Sequence, residues 1–182
     1  MKYLIASDIH GSAYWCGRLV EAYEREGADR LVLLGDILYH GPRNALPQDY
    51  DPQKVADMLN ALKGDILCIR GNCEAEVDSL VLDFCIDTQH AVIDLGKAMI
   101  FATHGHTYNT EEPPALHKGD ILMYGHTHVP ACEDHGNYVY MNPGSVSIPK
   151  NDSWHGYMTL EDGEFLWKDL ESEGEVKYSY KL

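Results

Sequence analysis

Lys2-Tyr3-Leu4-Ile5-Ala6-Ser7-Asp8-Ile9-His10-Gly11 decides how the rest of this 182-residue chain is read. Lys2 to Ala6 is a short apolar run of the kind that forms a buried strand. It breaks into an acid and an imidazole two residues apart, and Ser12 and Ala13 then open a stretch with helical periodicity. In a strand-to-helix unit of an open sheet, sites are built at the carboxyl end of the strand. On an extended backbone Asp8 and His10 would point to the same side. A hard oxygen beside a nitrogen suits a first-row metal ion better than a core, although an Asp after a strand also serves as a helix N-cap.

The chain beyond repeats this rhythm. Trp15, Leu19, Val20, Ala22 and Tyr23 lie at helical spacing, with Gly27 as the stop. Arg30 to Leu34 reads as a second strand that ends at Gly35-Asp36, parallel to the first through a right-handed crossover. Pro42 to Pro52 is a loop rich in turn formers, and Pro52 begins a helix over Val55, Met58, Leu59 and Leu62. Asp65 to Ile69 is a third strand, closed by Gly71-Asn72-Cys73-Glu74. The second half is rich in strands. A hairpin from Ala91 to Thr103 turns at Gly96-Lys97 and runs into His104-Gly105-His106. Ile121 to Tyr124 runs into Gly125-His126-Thr127-His128. Tyr138 to Met141, Gly156 to Leu160 and Phe165 to Leu170 follow as short strands, and Glu171 to Glu175 reads as a solvated acidic loop. Strand-helix units followed by a β-rich half predict an α/β (α+β) fold of two facing mixed sheets flanked by helices, one domain over residues 1–182.

The formal charge of -15 repels polyanions, so extended nucleic acid is a poor partner and an anionic substrate needs a local positive centre. No apolar run is long enough to span a bilayer, and the N-terminal run breaks too early for a signal peptide. Cys16, Cys68, Cys73, Cys85 and Cys132 form no CxxC pair and cannot all pair, which suits reduced thiols in a cytoplasm. An exposed strand or apolar surface would support a homo-oligomer.

Asp8, His10, Asp36, Asn72, His104, His126 and His128 each fall at or just beyond a strand end, beside a small residue or a glycine. Singly, each has an ordinary structural reading. Jointly they describe a metal centre. These motifs resemble those of the calcineurin-like metallophosphoesterases, and His40-Gly41-Pro42-Arg43-Asn44 with Asn142-Pro143-Gly144-Ser145-Val146-Ser147 resembles the small bacterial YfcE-type phosphodiesterases. The resemblance covers the chain to about Pro149. It implies an αββα sandwich in which Asp8, His10 and His128 hold one divalent ion, Asn72, His104 and His126 a second, and Asp36 bridges them. It implies Mn²⁺, with Zn²⁺, Fe, Ni²⁺ or Mg²⁺ substituting, and hydrolysis of a small phosphodiester by metal-bound hydroxide. Independently of family, two dications about 3.5–4 Å apart can activate a water and clamp a phosphoryl group. Asn72 and His104 would stabilise charge in the transition state.

One position departs from the superfamily pattern. Cys73 stands where a leaving-group-protonating His is common, a substitution that the YfcE-type proteins share. A thiol is a weak general acid near neutral pH, and close dications would favour its thiolate. That predicts a preference for diesters with acidic leaving groups. His106 and His40 are alternative proton sources, and Arg43 and Asn44 are candidate substrate contacts. The sequence shows no basic cluster for the extra charge of a monoester, so the phosphomonoesterase reading ranks second. A protein-binding scaffold of the same fold, as in the retromer subunit, would be expected to lose ligands, whereas all seven positions here carry suitable residues.

Overall fold

The computed structural model describes residues 1–182. Strand β1 (Tyr3–Ala6) is followed by helix α1 (Ala13–Glu26), whose N-cap is Ser12 and not Asp8. The Ser12 hydroxyl accepts from the Trp15 N–H at 3.3 Å, and Gly27 closes the helix in the left-handed conformation at φ 58°. Strand β2 (Arg30–Leu33) pairs with β1 in parallel, Tyr3 opposite Arg30 and Ala6 opposite Leu33. Helix α2 (Pro52–Asn60) starts as its sequence dictates, with Pro52 in the first turn and the Asp51 carboxylate capping the Lys54 N–H. It returns the chain to β3 (Ile66–Cys68), parallel to β2.

A short 3-10 turn (Glu76–Leu80) leads to the second sheet. Strands β4 (His90–Asp94) and β5 (Met99–Thr103) form the expected hairpin. Strand β6 (Asp120–Met123) adds in parallel to β5, β8 (Tyr138–Asn142) in parallel to β6, and β7 (Ala131–Asp134) caps the edge. Strands β9 (Gly156–Glu161), β10 (Glu164–Asp169) and β11 (Glu175–Lys181) return to the first sheet, β9 antiparallel to β1. The result is a six-stranded sheet, β11-β10-β9-β1-β2-β3, facing a five-stranded one, β4-β5-β6-β8-β7.

Strand alternation divides the core. Ile5 and Val32 face the second sheet, where they join Ile100, Ile121, Met123, Met141, Phe165 and Trp167. Leu4, Ala6, Leu31 and Leu33 face outward and lie beneath Leu19, Val55 and Leu59 of the helices. The Trp167 indole N–H donates to the Asn142 carbonyl at 2.7 Å, a polar tie across the two sheets.

The two mixed sheets face each other and are flanked by helices, as predicted, with α1 and α2 both packed on the six-stranded sheet. On the outer face of the other sheet, Phe101, Leu122, Tyr124, Tyr138 and Tyr140 lie under Leu116 from a loop. Two expectations are corrected. The acidic stretch forms a turn only through Gly174, and Glu175 begins β11, a strand absent from the sequence reading. Its apolar alternation, Val176, Tyr178 and Tyr180, is interleaved with Lys177, Ser179 and Lys181. Finally, β1 ends at Ala6, and Asp8 and His10 are not extended.

Candidate metal centre

Five of the seven candidate ligands sit in the left-handed backbone region: Asp8 at φ 59°, His10 at 50°, Asp36 at 57°, His126 at 61° and His128 at 63°. Non-glycine residues seldom adopt that conformation, and each instance costs of order 1–3 kcal/mol unless its surroundings fix it. Here the turns after β1, β2 and β6 coil tightly, so side chains from separate strands converge. Close packing of backbone enforces this. A Cβ on Gly71 would lie 2.2 Å from Asp36 Oδ1, and one on Gly35, at φ 97°, would lie 2.5 Å from the Gly71 nitrogen.

The buried imidazoles have assignable tautomers. His10 Nδ1 and His128 Nδ1 each lie 2.7 Å from a carbonyl oxygen, of Tyr39 and Ile148 respectively. A carbonyl only accepts, so each Nδ1 carries a proton, and in the neutral imidazole each Nε2 presents a lone pair. Those two Nε2 atoms face each other at 3.2 Å. Asp8 Oδ1 lies 3.6 Å from one and 3.3 Å from the other, buried and without a hydrogen bond. Asp36 Oδ2 is 3.7 Å from His10 Nε2. With both rings neutral, these electron pairs have no proton between them and fit a cation at their centre.

A second cluster shares Asp36. His104 Nδ1 donates to the Leu34 carbonyl at 2.7 Å, which leaves Nε2 to face Asn72 Oδ1 at 3.1 Å, His126 Nδ1 at 3.2 Å and Asp36 Oδ1 at 3.4 Å. Asp36 therefore offers one oxygen to each cluster. Mixed carboxylate, amide and imidazole donors suit Mn²⁺, Fe or Zn²⁺, so these residues fit divalent metal ions.

Titration directions describe the same field. Burial pushes the Asp8 carboxyl up, but the His10 and His128 imidazoles more than offset it and hold it well below the usual carboxylate range. Burial disfavours a charged His104, yet Asp36 and Asp8 lift its pKa to about 9. In the protein alone a proton answers the negative potential that a metal ion would otherwise meet.

Supporting residues were less visible in the sequence. Buried Glu74 accepts the backbone N–H groups of Asp36 at 2.9 Å, Ile37 at 2.7 Å and Gly71. It thus joins the turn of Asp36 to the turn of Asn72. Ser145 and Ser147 donate to the Asp8 carbonyl at 2.9 and 3.2 Å, and Asn142 Nδ2 donates to the Gly125 carbonyl at 2.8 Å. The Asn142 to Ser147 segment therefore braces two ligand turns at once.

The clusters open into a polar cleft of about 490 Å³ with no aliphatic side chain in its lining beyond the Pro42 ring. Arg43, Asn44, Cys73, Thr127 and Lys150 line it beside the candidate ligands. Lys150 was missed in the sequence because it lies beyond the recognisable motifs. His40 does not line the cleft, since its ring packs between Tyr39 and Tyr50 with centroids 4.8 and 5.2 Å away. His106 is exposed outside the lining, its ring 5.4 Å from that of His104. Cys73 donates its N–H to Asp36 Oδ1 at 2.9 Å, while burial and the Asp36 carboxylate push its thiol upward, so the sulfur keeps its proton at neutral pH in the protein alone.

Comparison with known proteins agrees with this geometry. The calcineurin-like phosphoesterase superfamily domain matches residues 1–163. Phosphodiesterase YfcE of Escherichia coli K12 is 47% identical over 162 residues, covering 89% of this chain and 88% of that protein. The solved structure of YfcE, a phosphoesterase from E. coli, superposes with a TM-score of 0.95 at 42% identity, covering 100% of this chain and 99% of that one. Vps29 of Chaetomium thermophilum, at 16% identity and a TM-score of 0.63 over 100% of this chain and 97% of its own, shares the fold.

Proposed function

The chain belongs to the calcineurin-like phosphoesterase superfamily, and from that membership we propose that it is a metal-dependent phosphodiesterase acting on small molecules. We assign Asp8, His10 and His128 to one divalent ion, Asn72, His104 and His126 to a second, and Asp36 to both, with Mn²⁺ as the working metal. Zn²⁺, Fe, Ni²⁺ or Mg²⁺ are the substitutes. The observation that carries this reading is the pair of Nε2 lone pairs, His10 facing His128 at 3.2 Å over the unpartnered Asp8 Oδ1.

Divalent ions held there supply an activated water and polarise the phosphoryl oxygens. The chain's own residues do the positioning. The Tyr39 and Ile148 carbonyls lock the His10 and His128 rings with Nε2 turned inward. Asn72 Nδ2 points to Cys73 Sγ at 3.3 Å, so the amide oxygen is left for the centre. We assign Asn72 and His104 to stabilise charge that develops on the phosphoryl oxygens, and Cys73, which lines the cleft, as a proton donor to a departing oxygen.

The cleft volume suits a small ligand, and the formal charge of -15 disfavours a polynucleotide. A phosphomonoesterase is the second reading, favoured by Arg43 and Lys150 in the cleft, which could meet a monoester's additional charge. No helix is long and apolar enough to cross a membrane. The five free cysteines support our placement of the protein in the cytoplasm.

The test is hydrolysis of bis(4-nitrophenyl) phosphate by the metal-stripped protein, with and without added Mn²⁺, beside Asp36→Asn. We expect Mn²⁺-dependent turnover that falls at least about a hundredfold in the variant, more than loss of an outer-shell partner costs. Absence of metal-dependent turnover on diesters and monoesters alike would leave the scaffold reading.

A further inference from the structure

The chain carries 29 acidic residues against 14 basic ones, and eight of those 14 are held in ion pairs. Two of the six unpaired cations, Arg43 and Lys150, line the same cleft. The one carboxylate in that lining, Asp36, faces the histidine clusters. In so acidic a protein, two cations without a counter-charge at one cleft call for an anion from outside.

Each is anchored by its backbone beside a different cluster. The Lys150 N–H donates to the His128 carbonyl at 3.2 Å, and the Lys150 carbonyl accepts from the Ser153 N–H at 3.1 Å and hydroxyl at 2.7 Å. The turn is fixed while the ammonium stays free. Arg43 belongs to the loop in which Asn44 Nδ2 donates to the His40 carbonyl at 2.8 Å, and a Cβ on Gly41 would lie 3.4 Å from Cys73 Sγ. Lys150 thus flanks the centre from the His128 side and the Arg43 loop from the Cys73 side.

A charge count separates these cations from the scissile group. Two divalent ions less the Asp8 and Asp36 carboxylates leave a surplus of two positive charges, and a diester brings a single negative charge. Arg43 and Lys150 exceed what the phosphodiester needs. The lining also lacks any Phe, Tyr or Trp on which an aryl or nucleobase arm could stack.

We propose that Lys150 seats a second anionic group of the substrate, which is a small hydrophilic phosphodiester carrying a carboxylate or another phosphate on one arm. The inference rests on the phosphodiesterase reading and specifies its substrate class.

The test measures competitive inhibition of bis(4-nitrophenyl) phosphate hydrolysis in Mn²⁺ by diethyl phosphate, bis(2-carboxyethyl) phosphate and bis(2-phosphonoethyl) phosphate. Both arms of each inhibitor are alike, so binding orientation does not matter. An anionic-armed inhibitor should bind about fivefold more tightly than the diethyl compound, the scale of one partly exposed ion pair. Whichever anion gains more identifies the group. Lys150→Met should bring the ratio close to one, and Lys150→Glu should invert it. Equal inhibition by all three, or a preference that survives Lys150→Met, overturns the proposal while leaving the phosphodiesterase reading intact. Absence of metal-dependent hydrolysis by the unmodified protein overturns both.

Discussion

Replacing Glu74 with alanine should unfold the protein at a markedly lower temperature, although Glu74 belongs to neither ligand cluster. Its carboxylate accepts three backbone N–H groups, those of Asp36, Ile37 and Gly71, and the residue is only 6% exposed. Removing the acceptor leaves three buried donors unmatched, each costing about 1–3 kcal/mol. An opposing effect is present: burial and the neighbouring Asp36 carboxylate push the Glu74 carboxyl upward, so its charge is held at some cost. Taking the low end of about 1 kcal/mol per donor allows for that relief and gives about 3 kcal/mol. For a domain of this size, that lowers Tm by roughly 6–12 °C. Glu74→Gln keeps one acceptor but sets an amide N–H₂ against a backbone donor, and should fall between alanine and wild type. Thermal melts with excess EDTA measure the loss without a contribution from metal. A Glu74→Ala melt within 1 °C of wild type would show that the three hydrogen bonds are not what holds the turns together.

Two further outcomes follow from named contacts. Burial pushes the Glu26 carboxyl upward, but Lys168 at 2.7 Å and Lys2 at 3.0 Å more than offset it, and its pKa lies below the ordinary value. A depressed carboxyl stabilises the fold above its unfolded pKa and loses that contribution as pH falls through the folded pKa. Glu26→Gln should therefore cost about 1 kcal/mol at neutral pH and show a shallower acid decline in urea unfolding; parallel curves from pH 7 to pH 3 would contradict this. For Cys73, rates on diesters of graded leaving-group pKa should fall steeply as the leaving group becomes more basic, because the thiol is a weak proton donor. A flat dependence, with chemistry rate-limiting, would point to another donor.

Much of the fold and candidate centre was legible because local signals agreed. Asp36 follows the apolar run Leu31 to Leu34 and a glycine, His104 directly follows a strand, and His126 follows a strand, Tyr124 and a glycine. What the sequence hid depends on distant backbone. The common direction of Asp8 and His10 comes from two left-handed residues, not from strand alternation, and nothing local to Ser7-Asp8-Ile9 announces that conformation. Lys150 reaches the cleft because the Ile148 carbonyl takes the His128 ring, a contact 20 residues apart in sequence. Glu74 read as the tail of a turn motif, whereas two of its three partners lie 37 and 38 residues away. His40, attractive as a motif residue, is turned into an aromatic pair instead of the cleft.

The candidate ligands are divided between the two sheets. Asp8, His10, Asp36 and Asn72 follow β1, β2 and β3, while His104, His126 and His128 follow β5 and β6. Each cluster therefore takes donors from both layers, and a cation accepted there is a staple across the sandwich. Its binding free energy is then also cohesion between the sheets, through the thermodynamic linkage of ligand and fold. The reverse also holds. Apolar packing between the layers, centred on Ile5, Val32, Ile121 and Trp167, is separate from those donors. A descendant of this chain could shed its histidines one by one and remain a folded sandwich, free to use its surface for another purpose.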